Sequence, residues 1–380
     1  MSGNSAQLEP LAPGVRVNGY QIQGVINSGG FGKVYRALDT DVARLGRRTQ
    51  EAERRRGLWS RSGYAGRGAS PGPRVAIKEC APASFVRRAG GQTQLSVISA
   101  SRKSSFDWSL ARFDNEAAFL TSHVHPAVIS AWETFSANGT RYLVMEEVAG
   151  PTLERLVEDG GAQDEAAVRA WLRPLLQALR SAEAVRVNHL DISPTNILFR
   201  NADSDPVLID FGASRFGALP PRATTYFIVN DGYSAPEKGR HTSRLLDGRC
   251  DVYSLAAAAL FALTGQAPPS AVEREGGQTL DGVLRRAEHR ASPGFLQALE
   301  ICMAMSATRR PASIAAMEQR LFGDLGALPA DPIAPRPVRM GPVRLPPIER
   351  GSRRNAMGVA LIAAGLIVLI LLTASLGVPG

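Results

Sequence analysis

Val187-Asn188-His189-Leu190-Asp191-Ile192-Ser193-Pro194-Thr195-Asn196-Ile197-Leu198-Phe199, followed by Asp210-Phe211-Gly212, is the stretch whose reading decides the rest of the chain. It puts Asp191 five residues ahead of Asn196 in a loop, and a second Asp directly before a Phe-Gly pair. Carboxylate and amide oxygens are the donors that a hard ion such as Mg²⁺ takes. Asp and Asn are also ordinary loop residues. One short motif therefore does not decide the matter, and the flanking sequence has to.

Upstream, Val25-Ile26-Asn27-Ser28-Gly29-Gly30-Phe31-Gly32-Lys33-Val34-Tyr35 reads as strand, glycine turn and strand. Glycines let a backbone approach phosphates closely and offer amide N–H groups to them. A glycine-rich hairpin by itself is usually just a hairpin. Val75-Ala76-Ile77-Lys78 then places Lys78 on a predicted strand. The chain has only four lysines, Lys33, Lys78, Lys103 and Lys238, among forty-four basic residues. A lysine kept in an apolar strand of so Arg-biased a chain points to a specific role, and a buried ammonium needs an anionic partner. Glu116 is the best candidate, on a predicted amphipathic helix that ends before His125-Pro126. The plainer reading of Glu116 is a solvated helix face.

With these elements in order, the chain resembles the protein kinase family, specifically the bacterial serine/threonine kinases of eukaryotic type, over roughly residues 15–322. Tyr142-Leu143-Val144-Met145-Glu146-Glu147-Val148 resembles the last strand of the N-lobe running into the hinge. Met145 would be the gatekeeper, and Glu146 to Val148 would offer backbone groups to adenine. Ala235-Pro236-Glu237 resembles the end of an activation segment, and Asp251-Val252-Tyr253 the helix whose Asp braces the catalytic loop. Arg310 resembles the late Arg that pairs with Glu237. Eight such motifs in the expected order leave little room for coincidence.

The resemblance implies an α+β, two-lobed protein kinase fold with a β-rich N-lobe and a helical C-lobe. It implies ATP and Mg²⁺, with Mn²⁺ as an alternative ion. Asp191 would orient a substrate hydroxyl and accept its proton, and Asn196 and Asp210 would hold the metal. Lys78, paired with Glu116, would hold the α- and β-phosphates. Asn27, Ser28, Gly29, Gly30, Phe31 and Gly32 would cover the phosphates, and Val34, Ala76, Met145, Glu146 and Val148 would line the adenine site.

Several residues depart from that pattern. Asn27 replaces the first glycine of the phosphate turn, although Asn tolerates positive φ better than most residues. Leu190 replaces the Arg that usually pairs with an activation-loop phosphate. Ser193 stands where serine/threonine kinases usually place a Lys that touches the γ-phosphate, and Asn230 where they place a Thr. Both replacements are polar, and Asn230 can donate to Asp191, which reads as a rebuilt hydrogen-bond set. Losing a fixed charge near the transferring phosphoryl should slow the reaction. These departures keep a pseudokinase, an ATP-binding scaffold at the membrane, as the second reading. A small-molecule phosphotransferase is a third, against which Ala235-Pro236-Glu237, Asp251 and Arg310 speak.

Composition agrees with a globular enzyme: 44% hydrophobic and 21% charged over 380 residues holds one two-lobed domain plus extras. Cys80, Cys250 and Cys302 are far apart in sequence, which argues against a disulfide framework and against zinc. Residues 1–14 show no signal-peptide pattern and read as a disordered N-terminus.

Met357 to Leu376 is twenty residues without a charge, about 30 Å as a helix and enough to span a bilayer core. Arg350, Arg353 and Arg354 precede it, so the positive-inside bias keeps the catalytic domain cytoplasmic. The expectation is a single-pass tail anchor in the inner membrane, joined through a Pro/Arg-rich linker over 323–356. Two segments carry the basic charge. Residues 41–74 hold nine Arg against three acids, and residues 331–354 hold six against two. The remainder is near neutral, which disfavours nucleic acid. The second segment suits an anionic lipid surface. The 41–74 insertion interrupts two strands normally joined by a short hairpin. A solvated disordered insertion is the favoured reading, docking to membrane or to a regulatory partner the other. Protein substrates complete the expected partners, and Thr224 and Thr225 are the expected acceptors in the activation segment.

Overall fold

The computed structural model describes residues 8–60, 73–200, 205–216, 230–239 and 246–323. Its N-terminal part is a six-stranded antiparallel sheet of order β1-β2-β3-β4-β8-β7. The strands are β1 (Arg16–Val17), β2 (Tyr20–Gly29), β3 (Gly32–Asp39), β4 (Arg74–Cys80), β7 (Ala131–Ala137) and β8 (Thr140–Glu146). A small hairpin, β5 (Val86–Arg88) with β6 (Leu95–Val97), follows β4. Side chains alternate across a strand, and here the alternation sorts two cores. Val75 and Ile77 join Tyr20, Ile22, Tyr35, Tyr142 and Val144 on one face. Ala76 and Cys80 join Leu143 and Met145 on the other, which continues into the helical part. Lys78 alternates with Ile77, so it is directed to this second, inner face.

Helix α1 (Val42–Ser60) leaves β3, and α2 (Lys103–Ser122) crosses the inner face of the sheet. The buried positions of α2 include Phe106, Ser109, Phe113, Glu116, Ala117 and Leu120. That is the three-and-four spacing of a single helix stripe. Glu116 therefore lies in the buried stripe and not on a solvated face.

The C-terminal part is helical: α3 (Leu153–Gly160), α4 (Glu165–Ala184), α5 (Pro236–Gly239), α6 (Gly248–Thr264), α7 (Ala271–Glu275), α8 (Asp281–Ala287), α9 (Pro293–Cys302) and α10 (Ile314–Phe322). Asp164 and Asp247 cap α4 and α6 by accepting backbone N–H groups. Gly265 closes α6 at φ 72°, a left-handed C-terminal turn that glycine adopts without strain. Every residue from Cys250 to Leu263 is buried, so α6 is the axis about which the other helices pack. Two short antiparallel strand pairs at the junction carry the chemistry-bearing loops: β9 (Val187–Asn188) with β12 (Arg215–Phe216), and β10 (Ile197–Phe199) with β11 (Pro206–Leu208). The three cysteines are buried free thiols.

Two expectations meet a different structure. Residues 8–14 are not loose: Leu8 and Leu11 are buried, and the Leu11 N–H donates to the Tyr35 hydroxyl at 3.1 Å. The first part of the 41–74 insertion is the helix α1 and not a solvated coil, while residues 61–72 lie outside the described residues. Two of its arginines are paired with the sheet, while Arg54 and Arg55 pair with Glu51 on the helix itself. Arg48 reaches Asp39 at 2.7 Å, and Arg44 reaches Glu133 at 3.0 Å and stacks 4.3 Å over the Tyr20 ring. The connection after Cys80 folds into the β5–β6 hairpin, tied down by a buried Arg88–Glu79 ion pair. Among the described residues no helix is long and apolar enough to cross a membrane. The apolar run 357–376 and its linker, from residue 324 on, lie outside the described residues.

Candidate active site

The inner face of the sheet, helix α2 and the turn after β11 bring three charged side chains together. Lys78 Nζ donates to Glu116 Oε1 at 2.7 Å, to Glu116 Oε2 at 2.9 Å and to Asp210 Oδ1 at 2.8 Å. Burial alone would lower the Lys78 pKa, but the Asp210 and Glu116 carboxylates outweigh it and the net shift is upward. Burial works on Asp210 in the opposite sense, and the Lys78 ammonium with the Gly212 N–H outweighs it, so Asp210 is held below the usual carboxylate range. Burial raises the Glu116 carboxyl, against the pull of the Lys78 ammonium.

Local geometry explains how Asp210 gets there. It adopts φ 62°, the left-handed region that Asp tolerates, and accepts the Gly212 N–H at 3.2 Å. A Cβ on Gly212 would lie 2.9 Å from Asp210 Oδ1, so this position needs glycine. Phe211 between them is fully buried, 5.0 Å from the Phe119 ring and 4.5 Å from His189. Arg112, one helical turn before Glu116, donates to the Gly212 carbonyl at 2.7 Å, and its guanidinium lies 5.6 Å from the Phe31 ring centroid.

The loop after β9 is held from below by Asp251 on α6. Its two carboxylate oxygens accept the His189 N–H at 2.8 Å and the Leu190 N–H at 2.7 Å. Burial raises Asp251 to about 7, against the pull of those two N–H groups. Leu190 takes φ 62° and is buried. His189 contacts the Ile209 carbonyl through Nε2 at 2.9 Å and the Asp191 N–H through Nδ1 at 3.1 Å. A carbonyl only accepts and an N–H only donates, so the imidazole carries its proton on Nε2. Burial lowers its pKa, in keeping with a neutral ring.

Asp191 is the focus of this loop. Its Oδ1 accepts from Asn230 Nδ2 and from Lys238 Nζ, each at 3.0 Å. Asn196 Nδ2 donates to the Asp191 carbonyl at 2.8 Å and to its Oδ2 at 3.3 Å. With its Nδ2 so committed, Asn196 has its Oδ1 left for a metal. Asp210, whose Oδ1 meets Lys78 and Gly212, has Oδ2. One amide and one carboxylate oxygen, beside phosphate oxygens, is a donor set Mg²⁺ accepts. The residues present therefore fit the ion. The Ser193 hydroxyl bonds to Thr195 Oγ1 at 2.9 Å.

The glycine turn joins β2 to β3 with Gly29 opposite Gly32. A Cβ at Gly32 would lie 1.9 Å from the Glu79 carbonyl oxygen, so no larger residue fits there. Asn27 Oδ1 accepts the Ser28 N–H at 2.7 Å, and Lys33 Nζ donates to Ser28 Oγ at 2.8 Å. Val34, Ala76, Met145 and Val148 belong to or border the inner core. The Glu146 N–H donates to the Ser130 carbonyl at 2.9 Å, and its carboxylate accepts from Arg200 at 2.5 Å. The Glu146 side chain is thus turned into a buried ion pair.

Beyond the cleft, Arg310 holds Glu237 through two bonds at 2.6 and 2.9 Å, with Cys250 Sγ at 3.2 Å from the same carboxylate. Thr224 and Thr225 lie outside the described residues. Two participants escaped the sequence reading. Arg112 left no signal beyond its place on α2. Lys238 left one: it is among the four lysines of an Arg-rich chain.

The chain matches the protein kinase domain family over residues 89–322. It is similar to the serine/threonine-protein kinase C of Synechocystis, 30% identical over 230 residues, covering 58% of this chain and 42% of that protein. It is also similar to the serine/threonine-protein kinase PknL of Mycobacterium tuberculosis, 34% identical over 160 residues, covering 42% of this chain and 39% of that one. The chain thus spans less than half the length of these curated relatives. Among solved structures it resembles the PpkA-294 apo form, with TM-score 0.63 and 26% identity over 82% of this chain and 99% of that one. The family match begins at residue 89, so the glycine turn and Lys78 are placed by the structure and not by that match.

Proposed function

The chain belongs to the protein kinase family, and we propose that it is a serine/threonine protein kinase that moves the γ-phosphoryl of ATP to a protein hydroxyl. The observation that carries this reading is the closed Lys78–Glu116–Asp210 group set beside a fully partnered Asp191. A scaffold has no need of both. In this reading the glycine turn and Lys78 hold the phosphates, Met145 is the gatekeeper, and the backbone at Glu146 to Val148 faces the adenine. Asp191 accepts the hydrogen bond of the substrate hydroxyl and aims its oxygen at the γ-phosphorus. The new O–P bond forms as the bond from the γ-phosphorus to the β,γ-bridging oxygen breaks, the proton passes to the Asp191 carboxylate, and ADP leaves. Asn196 and Asp210 are the residues that would hold Mg²⁺, whose charge offsets that of the phosphates.

We further read the chain as membrane-tethered. The uncharged run 357–376, flanked by Arg350, Arg353 and Arg354, supports a single-pass anchor with the kinase domain on the cytoplasmic side. The decisive test of the catalytic reading is incubation of the protein with γ-labelled ATP, Mg²⁺ and a general protein acceptor. Label on serine or threonine is expected. ATP binding with no transfer to itself or to any acceptor would overturn it.

A further inference from the structure

Between His189 and Asn196 the loop offers Leu190, Asp191, Ile192, Ser193, Pro194 and Thr195, none of them a cation. Phosphoryl transfer gathers negative charge at the reacting centre, and fixed positive charge beside it lowers the barrier. The structure supplies that charge from elsewhere in the chain. Lys238 lies on α5, directly after Glu237, and is only 2% exposed. Its Nζ stands 3.0 Å from Asp191 Oδ1. The segment that carries it is held firmly: Arg310 grips Glu237 twice, and the Lys238 N–H donates to the Ala235 carbonyl at 3.0 Å. A buried ammonium is costly unless paired. This one is paired with the carboxylate that faces the substrate hydroxyl, on the same oxygen that Asn230 holds.

We propose that Lys238 is a positioning residue for phosphoryl transfer, taking over from the end of the activation segment the ammonium that the loop lacks at Ser193. With Asn230 it fixes the rotamer of Asp191 and places a positive charge at the reacting centre. The inference rests on the serine/threonine kinase reading above.

The test is steady-state kinetics of Lys238→Met and of the double variant Ser193→Lys with Lys238→Met, with ATP affinity measured alongside. Lys238→Met is expected to lose about 100-fold in kcat, the scale of one charge-stabilising donor, with KM for ATP within about twofold. Ser193→Lys should restore at least about tenfold of that loss by returning an ammonium to the loop. Should the methionine variant fail to bind ATP, Lys238→Gln, which keeps a hydrogen bond without the charge, is tested in the same way. A folded variant with kcat within about threefold of wild type overturns the proposal. So does a loss that Ser193→Lys does not relieve, because Lys238 would then serve the fold alone. In both cases the active wild type leaves the kinase reading standing. A wild type that binds ATP and transfers nothing overturns that reading and the inference together.

Discussion

The Leu190 N–H donates to Asp251 Oδ1 at 2.7 Å while the Leu190 side chain points into the core, so backbone and side chain of one residue fasten the catalytic loop to α6. An asparagine at 251 has one acceptor oxygen where the carboxylate has two. Asp251→Asn should therefore leave one of the two loop N–H groups unsatisfied and destabilise by about 1–3 kcal/mol. Urea unfolding of the two proteins at pH 7.5 measures this, and an unchanged midpoint would count against the bracing role.

Leu190 has no charge with which to hold a phosphorylated residue. The double substitution Thr224→Ala with Thr225→Ala is expected to leave kcat within a few-fold of wild type. A collapse of activity in a protein that still binds ATP would mean that another basic group fills the missing arginine's place.

Removing one partner of a buried ion pair costs about 3–5 kcal/mol, because the other charge is stranded. Lys78→Met should abolish phosphotransfer and also lower thermal stability by that route. Adding Glu116→Gln should recover part of the lost stability and none of the activity. Asp210→Asn should likewise be inactive. Phosphotransfer near the wild-type rate in any of the three would falsify the site assignment.

Two of the buried histidines, beside His189 of the loop, make the domain acid-sensitive. Burial lowers His123 to about 4 and His125 to about 3, the latter with help from His123, Arg180 and Arg200. A depressed folded-state pKa means the contribution is intact above the ordinary value near 6.5 and is lost as pH falls through the folded value. His123 alone should account for about 2–3 kcal/mol of lost stability between pH 7 and 4.5, as an upper bound. Asp251, raised to about 7, works in the opposite sense across that whole range. The comparison is therefore between wild type and His123→Phe. The variant should show the shallower acid loss, and equal slopes would exclude His123 as a source.

The tethering proposal predicts that the full chain sediments with membranes and resists salt and alkali, while a chain stopped near Arg336 is soluble and still phosphorylates. Protease added to the cytoplasmic face of vesicles should digest the kinase domain. Protection of that domain would contradict the orientation.

The parts of this fold that are legible in the sequence are those fixed by short-range geometry. Asp191 and Asn196 share one loop, Asp210 and Gly212 one turn, and Lys78 takes its face from strand alternation. The opacity lies where a residue's role depends on a distant partner. Arg44 and Arg48 of α1 look like part of a solvated charge run because Asp39 and Glu133, which pair with them, sit in other elements. Lys238 is forty-seven residues from Asp191, a pairing no local pattern encodes. Glu116 could be a surface or a buried residue until Phe113, Ala117 and Leu120 are seen to be buried on the same stripe.

Arg112 ties the glycine turn, through Phe31, and the Asp-Phe-Gly turn, through the Gly212 carbonyl, to the helix that bears Glu116. For inhibitor chemistry this is a bias. A compound that demands a swung-out α2 or an inverted Phe211 must break the Arg112 contacts as well as the Lys78 pair. One shaped to the closed cleft breaks neither, so a screen against this kinase-family chain should be dominated by compounds of the second kind.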